Sequence, residues 1–199
     1  MIIVDVEASG TDLNKHSLLS IGALDFDNPE NRFYGECKIW NGAHIMEEAL
    51  EVNGFTREEI TDTKKQGDGE LVKAFIDWSS TCKEKTLAGQ NPSFDRDFMQ
   101  MAAQRNHIDW PFAHRTIDLH SVCFTHMVKR GIVPPVAKGR SDLDSEAIMK
   151  YVGIPDVKEP HNALNCTITE AEALSRLLYD KKLLLEFEAF PLPWLRPGN

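Results

Sequence analysis

Apolar residues open the chain as a short run, Ile2, Ile3 and Val4, and Asp5 and Glu7 then follow two positions apart around Val6. A β-branched run of this kind favours extended backbone, so the pattern predicts a buried strand that ends in two acids. Residues 17–27, SLLSIGALDFD, and 32–40, RFYGECKIW, predict a second and a third strand. The polar SGTDLNKH between the first two predicts a hairpin-like connection, so strands one to three are expected to form an antiparallel meander.

Helical spacing then takes over. Residues 47–50 and 56–60 predict short helices on either side of an Asn53-Gly54 turn. Residues 69–81 predict a helix with Leu71, Val72, Phe75, Ile76 and Trp78 on its apolar face. A short strand is expected at 86–90, a helix at 95–106 and a fifth strand at 114–119. Ser141 is the expected N-cap of the next helix, with Asp144 behind it and Leu143, Ala147, Ile148 and Tyr151 at helical spacing. Pro160 precedes a long last helix over 162–188. The tail from about residue 190, FPLPWLRPGN, is too rich in proline to continue it and is expected as a surface strap. The order βββ-α-β-α-β-α-α predicts an α/β fold, a mixed five-stranded sheet flanked by helices. No repeat or linker interrupts residues 1–199, which are read as a single domain.

Composition narrows the chemistry. A formal net charge of −9 speaks against non-specific wrapping of duplex nucleic acid, but leaves room for a small site where bound cations supply positive charge. The chain starts with no basic and apolar leader and carries no apolar span of about 18 residues, which predicts a cytoplasmic protein with no membrane partner. Cys37, Cys82, Cys123 and Cys166 stand far apart without a C-x-x-C pair, so reduced single thiols are expected rather than a disulfide framework or a zinc ribbon. His114, His120 and His126 recur at a spacing that suits neither a helix face nor a compact metal motif, and are read as structural.

Asp5 and Glu7 point the same way from a strand, and two acids at the end of an apolar strand cost desolvation unless something pairs with them. A divalent cation with hard oxygen ligands is the economical partner. The pattern D-x-E recurs at Asp68/Glu70 and Asp144/Glu146, where a polar loop and a helical first turn explain it. Asp95 closes the stretch NPSFD just past a strand, as a helix cap or as a third acid of a site. His161 begins the stretch HNALNC at the start of the last helix, as a capping residue or as a base.

Together DVEASG, NPSFD and HNALNC, in this order, resemble the DEDD superfamily of 3′–5′ exonucleases, DEDDh branch, the group of polymerase proofreading subunits and ribonuclease T-like enzymes. ALEVNGFTREEI, RTIDLHSV and LDSEAIMKYVGIP resemble the elements between those motifs, so the resemblance covers almost the whole chain. It implies a ribonuclease H-like fold and hydrolysis at the 3′ end of DNA or RNA with two divalent cations, Mg2+ or Mn2+. It also implies metal ligation by Asp5, Glu7 and Asp95, with His161 as general base. Ala8, Ser9, Gly10 and Thr11 match the segment that cradles the terminal nucleotide, where the family more often has two Thr in place of Ala8 and Ser9. Asn91 and Phe94 join them as substrate contacts, Phe94 as a stacking face. Many members of the family form homodimers, which leaves that state open here.

The third motif departs from the family. Five residues after His161 the family carries an Asp, and this chain carries Cys166. Sulfur is a poor ligand for magnesium, so the change predicts impaired metal-dependent activity. The change is either introduced, to hold substrate without cutting it, or natural, with Glu170 one helical turn further on or a softer metal such as manganese compensating. Alternatively, the chain is a degenerate member of the fold that binds 3′ ends without cutting. A Cys166–His161 nucleophilic pair is the third reading, and a straight helix would place residues five apart about 140° around its axis, too far for direct pairing.

Overall fold

The computed structural model describes residues 1–155 and 160–195. Strand β1 (Ile2–Ala8) pairs antiparallel with β2 (Leu18–Asp25), and β2 pairs antiparallel with β3 (Arg32–Glu36). On its other edge β1 runs parallel to β4 (Leu87–Gly89), and β4 parallel to β5 (Ile117–Asp118). The order is β3-β2-β1-β4-β5, the expected mixed five-stranded sheet with its meander.

The period of two along β1 divides the core. After two short helices, α1 (Glu47–Asn53) and α2 (Arg57–Thr61), come the longer α3 (Asp68–Ser79) and α4 (Pro92–Arg105). Ile2, Val4, Val6 and Ala8 pack with Leu71, Val72 and Phe75 of α3 and with Phe98, Met99 and Ala102 of α4. Ile3 faces the other way, with Leu24, Ala88 and the Ala171, Leu174 and Leu177 side chains of α7 (Ala163–Tyr179). Asp5 and Glu7 continue the row of Ile3 and so face α7. Gly22 stands opposite Asp5 in the β1–β2 register. A Cβ on Gly22 would run into the backbone of Ala163, and the Thr167 hydroxyl donates to the Gly22 carbonyl at 3.2 Å. The missing side chain at Gly22 therefore lets the first turn of α7 rest on the sheet beside Asp5.

Several boundaries differ from the pattern. The third strand stops at Glu36 rather than 40. The fifth strand is two residues long, and Asp118 then caps α5 (Leu119–Lys129), a helix the pattern did not predict, by accepting from the His120 and Ser121 amides. Ser141 is not a cap. It lies in a small ribbon of β6 (Val136–Ala137) and β7 (Arg140–Ser141), and Asp144 caps α6 (Ser145–Val152) by accepting from the Ala147 amide at 2.9 Å. The last helix ends at Tyr179, because Asp180 turns left-handed (φ 53°).

Beyond Asp180 the chain folds back, and Leu184 and Phe187 join the α7-side core, with Phe190 and Trp194 packed against it. A buried ion pair holds this return. Arg176, fully buried, donates to Glu172 at 2.6 Å and to the carbonyls of Val152, Pro191, Phe187 and Phe190. Glu172 accepts from the Leu183 and Leu184 amides at 2.8 and 2.9 Å. The tail is thus hydrogen-bonded through its backbone as far as Pro191, and its residues 196–199 lie outside the described residues. Among the described residues no helix is long and apolar enough to cross a membrane.

Candidate active site

The β1–β4 ladder ends at Ile3 and Ala88, so the β1 backbone beyond that rung needs another partner. Asp95, in the first turn of α4, supplies it by accepting the Val6 N–H at 2.9 Å. The cap of α4 is Asn91, left-handed at φ 51° and followed by Pro92, which leaves Asp95 free of the capping role and 3% exposed beside β1. A register shift between Glu7 and Ala8 ends the regular β1–β2 pairing, as bulges near active sites often do.

Asn162 caps α7 by accepting from the Leu164 and Asn165 amides. His161 therefore lies just outside the helix, its own amide donating to Val52 in α1 (Glu47–Asn53) at 3.0 Å. From there the ring folds back, and Nδ1 comes within 3.8 Å of the Cys166 sulfur. The expectation that these two residues point apart is corrected on this point, since it assumed both lie on one helix. Ligand atoms of Glu7, His161 and Cys166 all fall within 4.8 Å of one another. A cleft of about 190 Å³ beside them is lined by Asp5, Gln90, His161, Cys166 and Glu170 among others. A second cleft, of about 220 Å³, has Glu7, Tyr34 and Asn53 in its wall and shares His161 with the first.

The cleft does not favour a thiolate. Burial pushes the Cys166 thiol far above its ordinary value, and the charges of Asp5, Glu170 and Glu7 push the same way. A nucleophilic cysteine needs the opposite environment. The other three cysteines are free and buried.

The acids themselves are strongly perturbed. Burial, then the charges of Asp95, Glu170 and Glu7, push Asp5 well above the usual carboxylate range. Burial lifts Glu7 to about 7. Burial also lifts Asp95 to about 8, against the lowering effect of the Val6 hydrogen bond. Among the described residues no Lys or Arg forms an ion pair with Asp5, Glu7 or Asp95. Buried like charges without a basic partner are what a hard divalent cation neutralises, so these side chains fit Mg2+ or Mn2+. The other two D-x-E pairs are structural: Asp68 binds Arg105 and Asn106, Glu70 caps α3 through the Gly67 amide, and Asp144 caps α6.

A pH dependence follows. Native Glu7 and Asp95 keep protons that the unfolded chain has already released, so stability is present at low pH and is lost as pH rises through about 7 and 8. For Glu7 the rise from 4.5 to about 7 corresponds to roughly 3 kcal/mol. His126, depressed chiefly by burial, acts in the opposite sense as pH falls. The metal-free protein is expected to melt several degrees lower near pH 8 than near pH 5.5, and saturating Mn2+ is expected to remove most of the difference. A flat melting profile across this range would show that the acids are not gathered as described.

The expected substrate segment is mixed in character. Ser9 is fully buried, its hydroxyl donating to the His44 carbonyl and accepting from the Ser17 amide, both at 2.8 Å, so it shapes the loop. Gly10 is left-handed, with His16 where a side chain would stand. Thr11 is exposed, and the Ala8 carbonyl accepts from Asn53 at 3.2 Å. Asn53 was noted in the sequence only as part of a turn; it ties α1 to the end of β1. Asn91 is exposed, and the half-buried Phe94 ring packs against Phe98 with its centroid 4.7 Å away and the planes tilted by 52°.

Solved structures share this fold. The nuclease domain of 3′hExo, a DEDDh family member bound to rAMP, superposes with a TM-score of 0.70 over 92% of this chain and 93% of that one, at 19% identity. The chain has the fold of the DEDDh exonucleases. Escherichia coli exonuclease I in complex with a dA16 oligonucleotide superposes at a TM-score of 0.70 and 19% identity, over 90% of this chain and 40% of that one. Cell-death related nuclease 4 gives 0.69 at 16% identity, over 91% and 64%. In sequence, ribonuclease T of Haemophilus influenzae is 25% identical over 119 residues, 52% of this chain and 51% of that protein. The match thus spans about half the length of these curated relatives. No family model matches the chain. The ribonuclease H-like expectation is borne out.

Proposed function

We propose that this chain is a 3′–5′ exonuclease that releases nucleotides from the 3′ end of single-stranded or frayed DNA or RNA by two-metal-ion hydrolysis, with Cys166 holding its activity below that of a site with Asp at this position. The observation that carries this reading is the convergence of His161 with Glu7 and Cys166 within 4.8 Å. It takes place over carboxylates that burial and mutual repulsion hold ready for a cation. The similarity to ribonuclease T and to exonuclease I in complex with an oligonucleotide supports the substrate class.

When bound, two Mg2+ or Mn2+ ions at Asp5, Glu7 and Asp95 would supply positive charge to the reacting phosphodiester. His161 orients the attacking water and takes its proton on a ring nitrogen. Its place outside α7, held by the Val52 carbonyl and not by the helix, lets the ring sit between the two clefts. Phe94 and the backbone of residues 8–11 hold the terminal nucleotide, with Asn91 at their edge.

Cys166 also favours a second reading, a 3′-end-binding protein of the same fold without turnover. The test is a 5′-labelled single strand, DNA and RNA in parallel, with Mg2+ and then Mn2+. The parent chain is expected to shorten it stepwise from the 3′ end, and Cys166→Asp to do so about 10- to 100-fold faster at limiting metal. If neither protein shortens a strand that both bind, the second reading replaces the first.

A further inference from the structure

The geometry points to Glu170 as the fourth carboxylate of this site, holding with Asp5 the cation that an acid at position 166 would otherwise help to hold. This inference rests on the metal-dependent reading above.

Residues 166 and 170 lie one turn apart on α7, about 6 Å along its axis and about 40° around it. Both line the same cleft, together with Asp5, Gln90 and His161. Helical side chains lean toward the N-terminus of their helix, and Glu is one methylene longer than Asp. Glu170 can thus deliver its carboxylate back toward the level of residue 166 from one turn deeper. It is 5% exposed. Its Oε2 accepts the Gln90 amide at 3.1 Å, which fixes the carboxylate at the end of β4. Gly89 leaves the space: a Cβ there would stand 2.9 Å from that oxygen and 2.7 Å from the Val4 carbonyl.

A second observation is independent of the acids. Gln90 lines the same cleft, and its side-chain oxygen is buried with no hydrogen-bond partner among the described residues. A buried acceptor without a donor, next to carboxylates, suits a hard cation or its bound water. Cys166 offers neither charge nor hardness. Counting Asp5, Glu7 and Asp95 with Glu170, the proposed metal site regains four carboxylates, of which Asp5 and Glu170 line this cleft.

The rival role for Glu170 is structural, as the acceptor for the Gln90 amide. Glu170→Gln separates the two, because the amide oxygen can still accept that hydrogen bond while the charge is gone. Mn2+ binding is measured on the full chain by electron paramagnetic resonance and calorimetry, with no nucleic acid present. Binding is expected to weaken by at least about tenfold in Glu170→Gln, the lower end of what even a supporting residue of a metal site costs. The melting temperature without metal should hold or rise. The double variant Cys166→Asp/Glu170→Gln, which returns a carboxylate one turn earlier, is expected to regain the lost affinity. Equal Mn2+ binding by parent and Glu170→Gln, no binding by the parent, or no recovery in the double variant would each overturn the assignment. If Mn2+ binds through Glu170 but the parent shortens no strand, the exonuclease reading fails and this one stands.

Discussion

Asp5→Asn is expected to lower Mn2+-dependent shortening of a single strand by about 10³-fold, ~4 kcal/mol of transition-state stabilisation, while making the metal-free protein harder to melt at pH 8. The two effects have opposite signs for one reason. Asp5 feels burial first and then the charges of Asp95, Glu170 and Glu7, so the native state resists its ionisation. Asparagine keeps the size of the side chain in the confined space between Gly22 and α7, and removes the charge. Without metal, that removal relieves repulsion. With metal, it deletes an oxygen ligand that the other acids cannot replace from their own positions. Activity and melting temperature, measured on the same preparation, decide it. A variant that loses both would give Asp5 a structural role and would remove it from the proposed metal site.

Arg176→Met is expected to cost 3–5 kcal/mol of stability, the usual range for a buried ion pair that loses one partner. In a domain of this size that lowers the melting temperature by roughly 6–20 °C. Glu172 would be left fully buried without its cation, with only the Leu183 and Leu184 amides to hold it. Four carbonyls, from α6 and the returning tail, would lose the guanidinium donor as well, Phe187 keeping the Phe190 amide. Methionine fills much of the space, so a large loss reports charge and hydrogen bonding rather than a cavity. The check is thermal unfolding near pH 7. A shift of one or two degrees would mean that the tail contributes little to the fold.

Much of this was legible in the sequence where a residue's role depends on its neighbours along the chain. The alternation in β1 gave the side on which Asp5 and Glu7 emerge, and the helical spacing of Leu71, Val72 and Phe75 gave the face of α3. What escaped depends on contacts far along the chain or on one backbone angle. The last helix was overrun because KKLLLEFEAF keeps an apolar rhythm without Gly or Pro; the break comes from the left-handed Asp180 and from Glu172 capturing the amides beyond it. Helix α5 was missed because it buries only Leu119, Cys123 and Met127 while Phe124 and Val128 stay exposed, a stripe too narrow to stand out. The separation assumed for His161 and Cys166 failed on a single cap. With Asn162 extended, His161 is outside the helix and free to turn back.

The gathered acids come from residues 5, 7, 95 and 170, three stretches of chain that meet only when β1, α4 and α7 have all docked. Contacts of such high sequence separation carry a loop-closure cost, so the cluster is expected to assemble after the folding barrier. Its mutual repulsion would then be felt in the native state and hardly at all at the barrier. In the metal-free protein, raising the pH is thus expected to speed unfolding and to leave the refolding rate almost unchanged, and a cation that neutralises the cluster is expected to prolong the native lifetime without helping the chain to find its fold. The cost of an acidic cleft built this way appears as a shorter residence in the folded state.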